Sequence, residues 1–218
     1  MRALVRYSHL PKKLKIKNIP FPEIKNSKKH AIIKVKYTGI CGRDLEHFKS
    51  KISKKKVPSV LGHEFSGVVK KIYKNKFNIK IGDRVTCETV NSVCGKCNVC
   101  KNGFYNLCKK RKNIGGGETG AFASHIKVPY QYIHKLPKNV SLDEAALIEP
   151  LAVSYNALIS NSEIKKNSSV LIFGAGTIGL LSLKIAHFKK AKIFLVCTPK
   201  DKIQKKIAIK NKVSKIYF

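Results

Sequence analysis

Acidic side chains are scarce in this sequence. Its 218 residues carry 12 Asp and Glu against 45 Lys and Arg, a formal net charge of +33. Such an excess opens two readings. One is a nucleic-acid or membrane-surface binder. The other is lysine spread over a solvated surface. Arginine is scarce, no basic helix is interleaved with aromatics, and no RNP, helix-turn-helix or finger pattern appears. A C2H2 finger also needs paired histidines. The second reading is preferred, with no specific nucleic-acid partner and only loose sticking to polyanions at low salt. Long apolar runs are missing too. The longest uncharged run, 167–183, falls short of the ~20 residues that span a bilayer, so no membrane partner is expected. Internal repeats and low-complexity linkers are absent. A hydrophobic content of 43% is enough for a packed core and argues against global disorder. The length suits one large domain, or one domain and part of another.

Seven cysteines are present, and four fall in one stretch. Cys94, Cys97, Cys100 and Cys108 read as C-x2-C-x2-C-x7-C. Three thiols at steps of three lie on a tight knuckle, and the fourth returns after a small loop. Four thiolates so placed suit structural zinc, which takes four sulfurs tetrahedrally at about 2.3 Å. An iron–sulfur cluster is the rival, but its usual run is C-x2-C-x2-C-x3-C-P, and Cys108 comes later and without a proline. Disulfides belong to oxidising compartments, and no secretory leader is read at the N-terminus. Free and metal-bound thiols together point to the cytoplasm.

Short strands are expected at 2–7 and 14–18, and a half-buried strand at 31–38 with Ile33, Val35 and Tyr37 on one face. Cys41 follows directly and opens a short helix with Arg43 and Asp44. A cysteine there is either a favoured thiolate or a small buried hydrophobe. A lysine-rich loop spans 51–56. Next come His63 and Glu64, just before a strand at 66–72. Such a pair is ordinarily a surface pair. Beside a reactive cysteine it becomes a candidate soft-plus-hard ligand set for catalytic zinc. Further strands are expected after the turn at Gly82, at 121–128 and at 132–135. Ser141 with Glu144 forms a capping box that opens a helix through 145–159. That helix carries Glu149, either an exposed position or a buried carboxylate needing a partner or a metal.

Residues 169–173 are strand-like. Gly174, Gly176, Thr177, Ile178 and Gly179 follow as G-x-G-x-x-G, and a helix is expected from Leu180 to Phe188. Between strand and helix this pattern turns the chain and brings a pyrophosphate to the helix N-terminus. A strand at 192–197, a helix at 201–211 and a strand at 213–218 come last.

These pieces, in this order, resemble the zinc-dependent medium-chain alcohol dehydrogenase family, most closely its polyol branch, which acts on substrates such as sorbitol, galactitol phosphate and threonine. The resemblance is carried by Gly39-Ile-Cys41-Gly-x-Asp44, Gly62-His63-Glu64, the four cysteines, Gly103-Phe-Tyr-x-x-Cys108, Glu149-Pro150-Leu151 and the glycine fingerprint. It implies an α/β chain with a GroES-like β-barrel catalytic domain over 1–150. A partial Rossmann domain, a doubly wound parallel sheet, would follow over 151–218. It further implies two zinc ions per chain. Cys41 and His63 match ligands of the catalytic one, with Glu64 and Glu149 binding it directly or through water. Asp44 matches the carboxylate that orients the ligating histidine. The implied activity is hydride transfer between a polyol, sugar alcohol or sugar phosphate and NAD or NADP. The family also suggests a homo-oligomer.

Two departures stand out. Relatives that oxidise alcohols place Ser or Thr two residues after the first zinc cysteine to relay the proton, and Arg43, which cannot deprotonate, stands here. The acid expected about 20 residues past the glycines is missing, with Cys197, Thr198 and Lys200 in its place. Two other functions stay open: a reductase of a conjugated double bond, and a catalytically inactive zinc-binding fragment. Only one half of a dinucleotide fold is supplied, so the chain is expected to be truncated relative to its family and inactive alone.

Overall fold

The computed structural model describes residues 1–25, 27–51, 57–117 and 119–218. The lysine-rich loop beyond Lys51 lies outside these residues. The chain forms two compact units, Met1–Ile148 and Glu149–Phe218. Among the described residues, no helix is long and apolar enough to cross a membrane.

The first unit holds strands β1 (Arg2–Arg6), β2 (Leu14–Asn18), β3 (His30–Thr38), β4 (Ser59–Val60), β5 (Phe65–Ile72), β6 (Arg84–Cys87), β7 (Val90–Ser92), β8 (Lys112–Asn113), β9 (His125–Pro129) and β10 (Ile133–Lys135). Helices α1 (Gly42–Lys49), α2 (Asn98–Lys101) and α3 (Leu142–Ala145) interrupt them. A five-stranded sheet runs in the order β10-β6-β5-β3-β9, a three-stranded sheet β2-β1-β4, and β7 pairs with β8. All these pairings are antiparallel. The sheets stay open at their edges. Ile33, Phe65, Val69, Val85, Ile126 and Val128 form the centre of the core.

The expected common face of Ile33, Val35 and Tyr37 is not found. Ile32 and Ile33 are both buried, while Tyr37 is 51% exposed. The β3–β5 register shifts between Ile32 and Ile33 and again between Val35 and Tyr37. Each irregularity breaks the two-residue alternation, so neighbours share a side and later residues swing outward. The strand expected over 121–128 starts only at His125. Upstream, the backbone is shared among segments: Ala121 and Phe122 donate to Gly62 and Leu61, and Leu4 donates to Phe122.

The helix expected through 159 is divided. Ser141 and Glu144 do form the capping box of α3, and α4 (Ile148–Tyr155) then opens the second unit. Pro150 has no N–H for the carbonyl four residues back, and its ring crowds that carbonyl. A wider π turn, Asn156–Ser160, ends the segment. Then come β11 (Ser169–Phe173), α5 (Thr177–Phe188), β12 (Lys192–Val196), α6 (Lys202–Lys210) and β13 (Lys215–Tyr217). The strands pair in parallel in the order β11-β12-β13. Val170, Ile172, Leu183, Ile193, Leu195 and Ala208 make a separate core.

One buried charge ties the first unit together. Arg6 is 0% exposed. Its guanidinium donates to the carbonyls of Ser8, His9, Leu10 and Ser50 at 2.9–3.0 Å. Ser50 caps the C-terminus of α1, so Arg6 anchors that helix from behind. Replacing it leaves several carbonyls without a donor. Arg6→Leu is expected to lower the stability of the first unit by about 3 kcal/mol in urea unfolding. A shift below about 1 kcal/mol would show that water replaces the guanidinium.

Candidate functional site

Cys41 sits at the N-cap of α1, just after β3. His63 and Glu64 lie in the link between β4 and β5, and both are buried. One ligand atom from each of Cys41, His63 and Glu64 lies within 4.8 Å of the others. A half-buried thiol beside a buried imidazole and a buried carboxylate is a donor set that could hold zinc.

The two segments are joined by Asp44, which is buried in the first turn of α1. Its carboxylate accepts from the Cys41 N–H at 3.1 Å and from the Gly62 N–H at 3.4 Å. Its Oδ1 lies 3.9 Å from His63 Nδ1. That is the place of a carboxylate that steers a ligating histidine. Glu64 is fixed by its own backbone, whose carbonyl accepts from the Gly39 N–H at 2.8 Å and from the Thr38 hydroxyl at 2.9 Å. A side chain at Gly39 would collide with the Glu64 carboxylate. Gly62 has φ +87° against the Phe122 ring, a conformation that favours glycine.

Burial pushes the Glu64 carboxyl up, opposed by a hydrogen bond from Cys41 and by the charge of Arg43. Burial also pushes the Cys41 thiol up, and the Arg43 N–H offsets only part of this. Of the two readings of Cys41, desolvation works against the thiolate in the chain alone. A divalent cation reverses that balance by its own charge. Glu149 is half-buried in the first turn of α4 and belongs to the second unit.

The four-cysteine lobe also closes on a centre. Its sulfurs stand 3.4 Å (Cys97–Cys100), 3.6 Å (Cys94–Cys108), 3.9 Å (Cys97–Cys108) and 4.0 Å (Cys94–Cys100) apart. Four sulfurs around one zinc at about 2.3 Å are about 3.8 Å from each other. The lobe fits that ion. Backbone N–H groups of Lys96 and Cys97 pull the Cys94 thiol down to about 6, while burial pushes Cys100 up to about 12. The lobe is tethered to the five-stranded sheet through Glu88. The Tyr105 hydroxyl donates to both Glu88 oxygens at 3.0 Å, and His134 Nε2 lies 3.1 Å from one of them.

In the second unit the fingerprint glycines link β11 to α5. Gly174 has φ +93°, and Gly176 is the N-cap, with no side-chain hydrogen bond to the first turn. The N–H groups of that turn, including Thr177 and Ile178, are thus left for an anion. A side chain on Gly179 would strike the Gly174 carbonyl. At the end of β12, Thr198 borders a cavity of about 700 Å³ that is also lined by Asp201, Lys202, Lys205, Lys206 and Phe218. Asp201 is already engaged, accepting from the Thr198 N–H and hydroxyl at 2.8 Å.

Residues 27–138 match the alcohol dehydrogenase GroES-like domain. The chain belongs to that family. It is 40% identical to D-arabitol-phosphate dehydrogenase of Enterococcus avium over 90% of its own length and 54% of that protein's. To sorbitol dehydrogenase of Halalkalibacterium halodurans it is 36% identical, over 95% of this chain and 60% of that one. Among solved structures, galactitol-1-phosphate dehydrogenase from Escherichia coli superposes with a TM-score of 0.88 at 28% identity, covering 99% of this chain and 60% of that one. The chain thus spans a little over half the length of these alcohol dehydrogenase relatives.

Sequence reasoning missed Asn113, Gly115 and Gly116, which line a cavity with Arg43, and it missed the Glu88 tether. The run of three glycines at 115–117 was a signal for the first. Nothing local marks Glu88, because its partners lie at 105 and 134. Two outcomes check these assignments. A Cys41→Ala, His63→Ala double variant is expected to keep about one zinc per chain in metal analysis, and a metal-free variant would overturn the lobe assignment. His134 titrates above its ordinary value because Glu88 accepts its hydrogen bond. Its stabilising contribution is therefore full below the unfolded value of about 6.5 and is lost as pH rises through the folded one. Glu88→Gln should move the His134 NMR titration downward, and an unmoved curve would contradict the tether.

Proposed function

We propose that this chain is the zinc-binding part of an oxidoreductase that moves hydride between a polyol, sugar alcohol or sugar phosphate and NAD(P). The observation that carries this reading is the Cys41–His63–Glu64 set, a half-buried thiol beside two buried side chains, joined by Asp44. The polyol class rests on the relatives named above. In this reading the first unit is the catalytic domain, with its boundary near residue 150. The second unit is the first half of a dinucleotide-binding domain, with pyrophosphate at Gly174–Gly179 and ribose near Thr198 and Lys200. The substrate is a small polyol or sugar, the whole enzyme is a homo-oligomer, and its home is the cytoplasm, in keeping with seven cysteines that are all thiols.

When bound, zinc supplies a Lewis acid for the alcohol oxygen, and the nicotinamide supplies the hydride acceptor. The chain's own residues do the rest. Asp44 positions the segment that bears His63 by accepting from the Cys41 and Gly62 N–H groups, with its Oδ1 3.9 Å from the His63 ring. Glu64, raised by burial, is the carboxylate beside Cys41 and His63 in the first unit. Arg43 keeps its proton throughout, so it binds and orients but relays nothing.

The test is NAD(P)+-dependent oxidation across a polyol panel by the whole enzyme of which this chain is the zinc-binding part, with zinc content measured in the same samples. Turnover that follows occupancy of the Cys41 site is expected. A fully zinc-loaded enzyme inert on every polyol would overturn the reading. Coenzyme preference gives a second outcome. With Asp201 engaged and Lys202, Lys205 and Lys206 around the cavity, NADPH is expected to bind at least as tightly as NADH. A clear NADH preference in fluorescence titration would contradict it.

A further inference from the structure

The four-cysteine lobe presents a surface that neither zinc binding nor hydride transfer uses. Lys96, Lys101, Lys109, Lys110, Arg111 and Lys112 fall within it, and no acidic residue stands between them. All six are exposed. The carboxylate that precedes the lobe, Glu88, is engaged by Tyr105 and His134. Large apolar side chains are exposed among these charges, Phe104 at 59% and Leu107 at 63%. They bracket one short helical turn, with Phe104 at its N-cap, and the Leu107 N–H donates to the Phe104 carbonyl at 2.9 Å. Val99, Leu107, Lys109 and Lys110 line a cavity of about 540 Å³ together with three of the zinc cysteines, a volume in the range of small-ligand sites. Among the described residues lining it, Asn98 is the one side-chain amide.

We infer that this lobe is a binding site for single-stranded nucleic acid, tolerant of sequence. A single strand offers apolar base faces and charged phosphates together, and the lobe offers the complement of both. The Phe104 ring and Leu107 are surfaces on which bases stack or pack, the cavity takes an unstacked base, and the six cations neutralise phosphates. A duplex keeps its base faces stacked, and its major groove is read by an inserted helix. The lobe's own helix, α2, has four residues, too few for that task. An anionic membrane rewards a continuous apolar face, whereas here single apolar side chains stand among cations. One amide in the lining reads few base edges, so affinity comes from charge and stacking. The site is independent of the Cys41 group and of the oxidoreductase reading. It depends instead on the zinc that would close the lobe, since metal binding and folding of such a lobe are linked. Attraction to polyanions, expected over the whole lysine-rich surface, thus acquires a definite place.

The test is fluorescence anisotropy of a labelled oligouridylate of about ten nucleotides, titrated with the zinc-loaded chain at several salt concentrations. Saturable binding is expected, with log Kd rising linearly with log salt. Lys109→Ser combined with Lys110→Ser should raise Kd about tenfold and lower that slope by about 1.4, at about 0.7 for each phosphate contact on a single strand. Lys28→Ser combined with Lys29→Ser removes the same charge from another exposed turn and should leave Kd within about twofold. Phe104→Ala should raise Kd about fivefold and leave the slope unchanged, because it removes stacking and no charge. Zinc content of each variant checks that the lobe is intact. An equal loss in the Lys28 and Lys29 pair would show diffuse attraction and overturn the site. Wild-type affinity in Phe104→Ala, or affinity that survives chelation of the lobe's zinc, would overturn it as well. Binding as tight to a duplex of the same length, or to phosphatidylserine vesicles, would overturn the single-strand assignment.

Discussion

The metal-ligating geometry depends on one buried carboxylate. Asp44 receives the N–H of Cys41 from its own helix turn and the N–H of Gly62 from a segment 18 residues away. Those two bonds set the distance between the segments that bear Cys41 and His63. The same carboxylate faces the His63 ring. A buried anion is tolerable only where it is hydrogen-bonded, and here it is satisfied by the N–H of Cys41 and by that of Gly62, the residue before His63. Asp44 is thus stabilised by the arrangement it enforces. Arg6 acts at the other end of α1, holding the Ser50 carbonyl. The helix is pinned at both termini by buried charges of opposite sign.

The two donor clusters differ in physical kind. The cysteine lobe offers four like ligands at distances that already suit one ion, and its tether to the sheet is a side-chain network through Glu88 and Tyr105. The Cys41 group offers three unlike ligands, two of them buried, with burial opposing the charged forms of Cys41 and Glu64. The first arrangement suits permanent occupation, and the second an ion that shares its shell with a substrate.

Much of this was legible from sequence where the signal is local. The strand Ser169–Phe173, the Ser141–Glu144 capping box and the glycine turn depend on neighbours within a few residues, and each appears at or close to its expected place. Cys41, His63 and Glu64 were legible because their order and spacing resemble a known family. What escaped depends on tertiary pairing. The bulges in β3 that expose Tyr37 are set by its partner β5. The irregular backbone of 121–124 follows from bonds to β1 and to residues 61–62. Arg6 reads as an ordinary strand charge until its four carbonyl partners converge. For Cys41 the helix terminus was visible in sequence, while the desolvation that pushes its thiol up was not.

Among the described residues, the three-stranded parallel sheet buries one face and leaves large apolar side chains of the other exposed. Val170 and Ile172 turn inward to the helices, while Leu171 and Phe173 on the other face are 51% and 76% exposed. Parallel strands ordinarily have both faces covered. A sheet lacking half its packing opens at a lower free energy than the rest of the molecule, so its amides exchange with solvent through local, sub-global fluctuations. Whatever covers that face, or fills the glycine turn at its end, would act on the cooperativity of unfolding as much as on chemistry. A ligand at the glycine turn would then be coupled to the folding of these strands, its occupancy read as protection of β11 and β12.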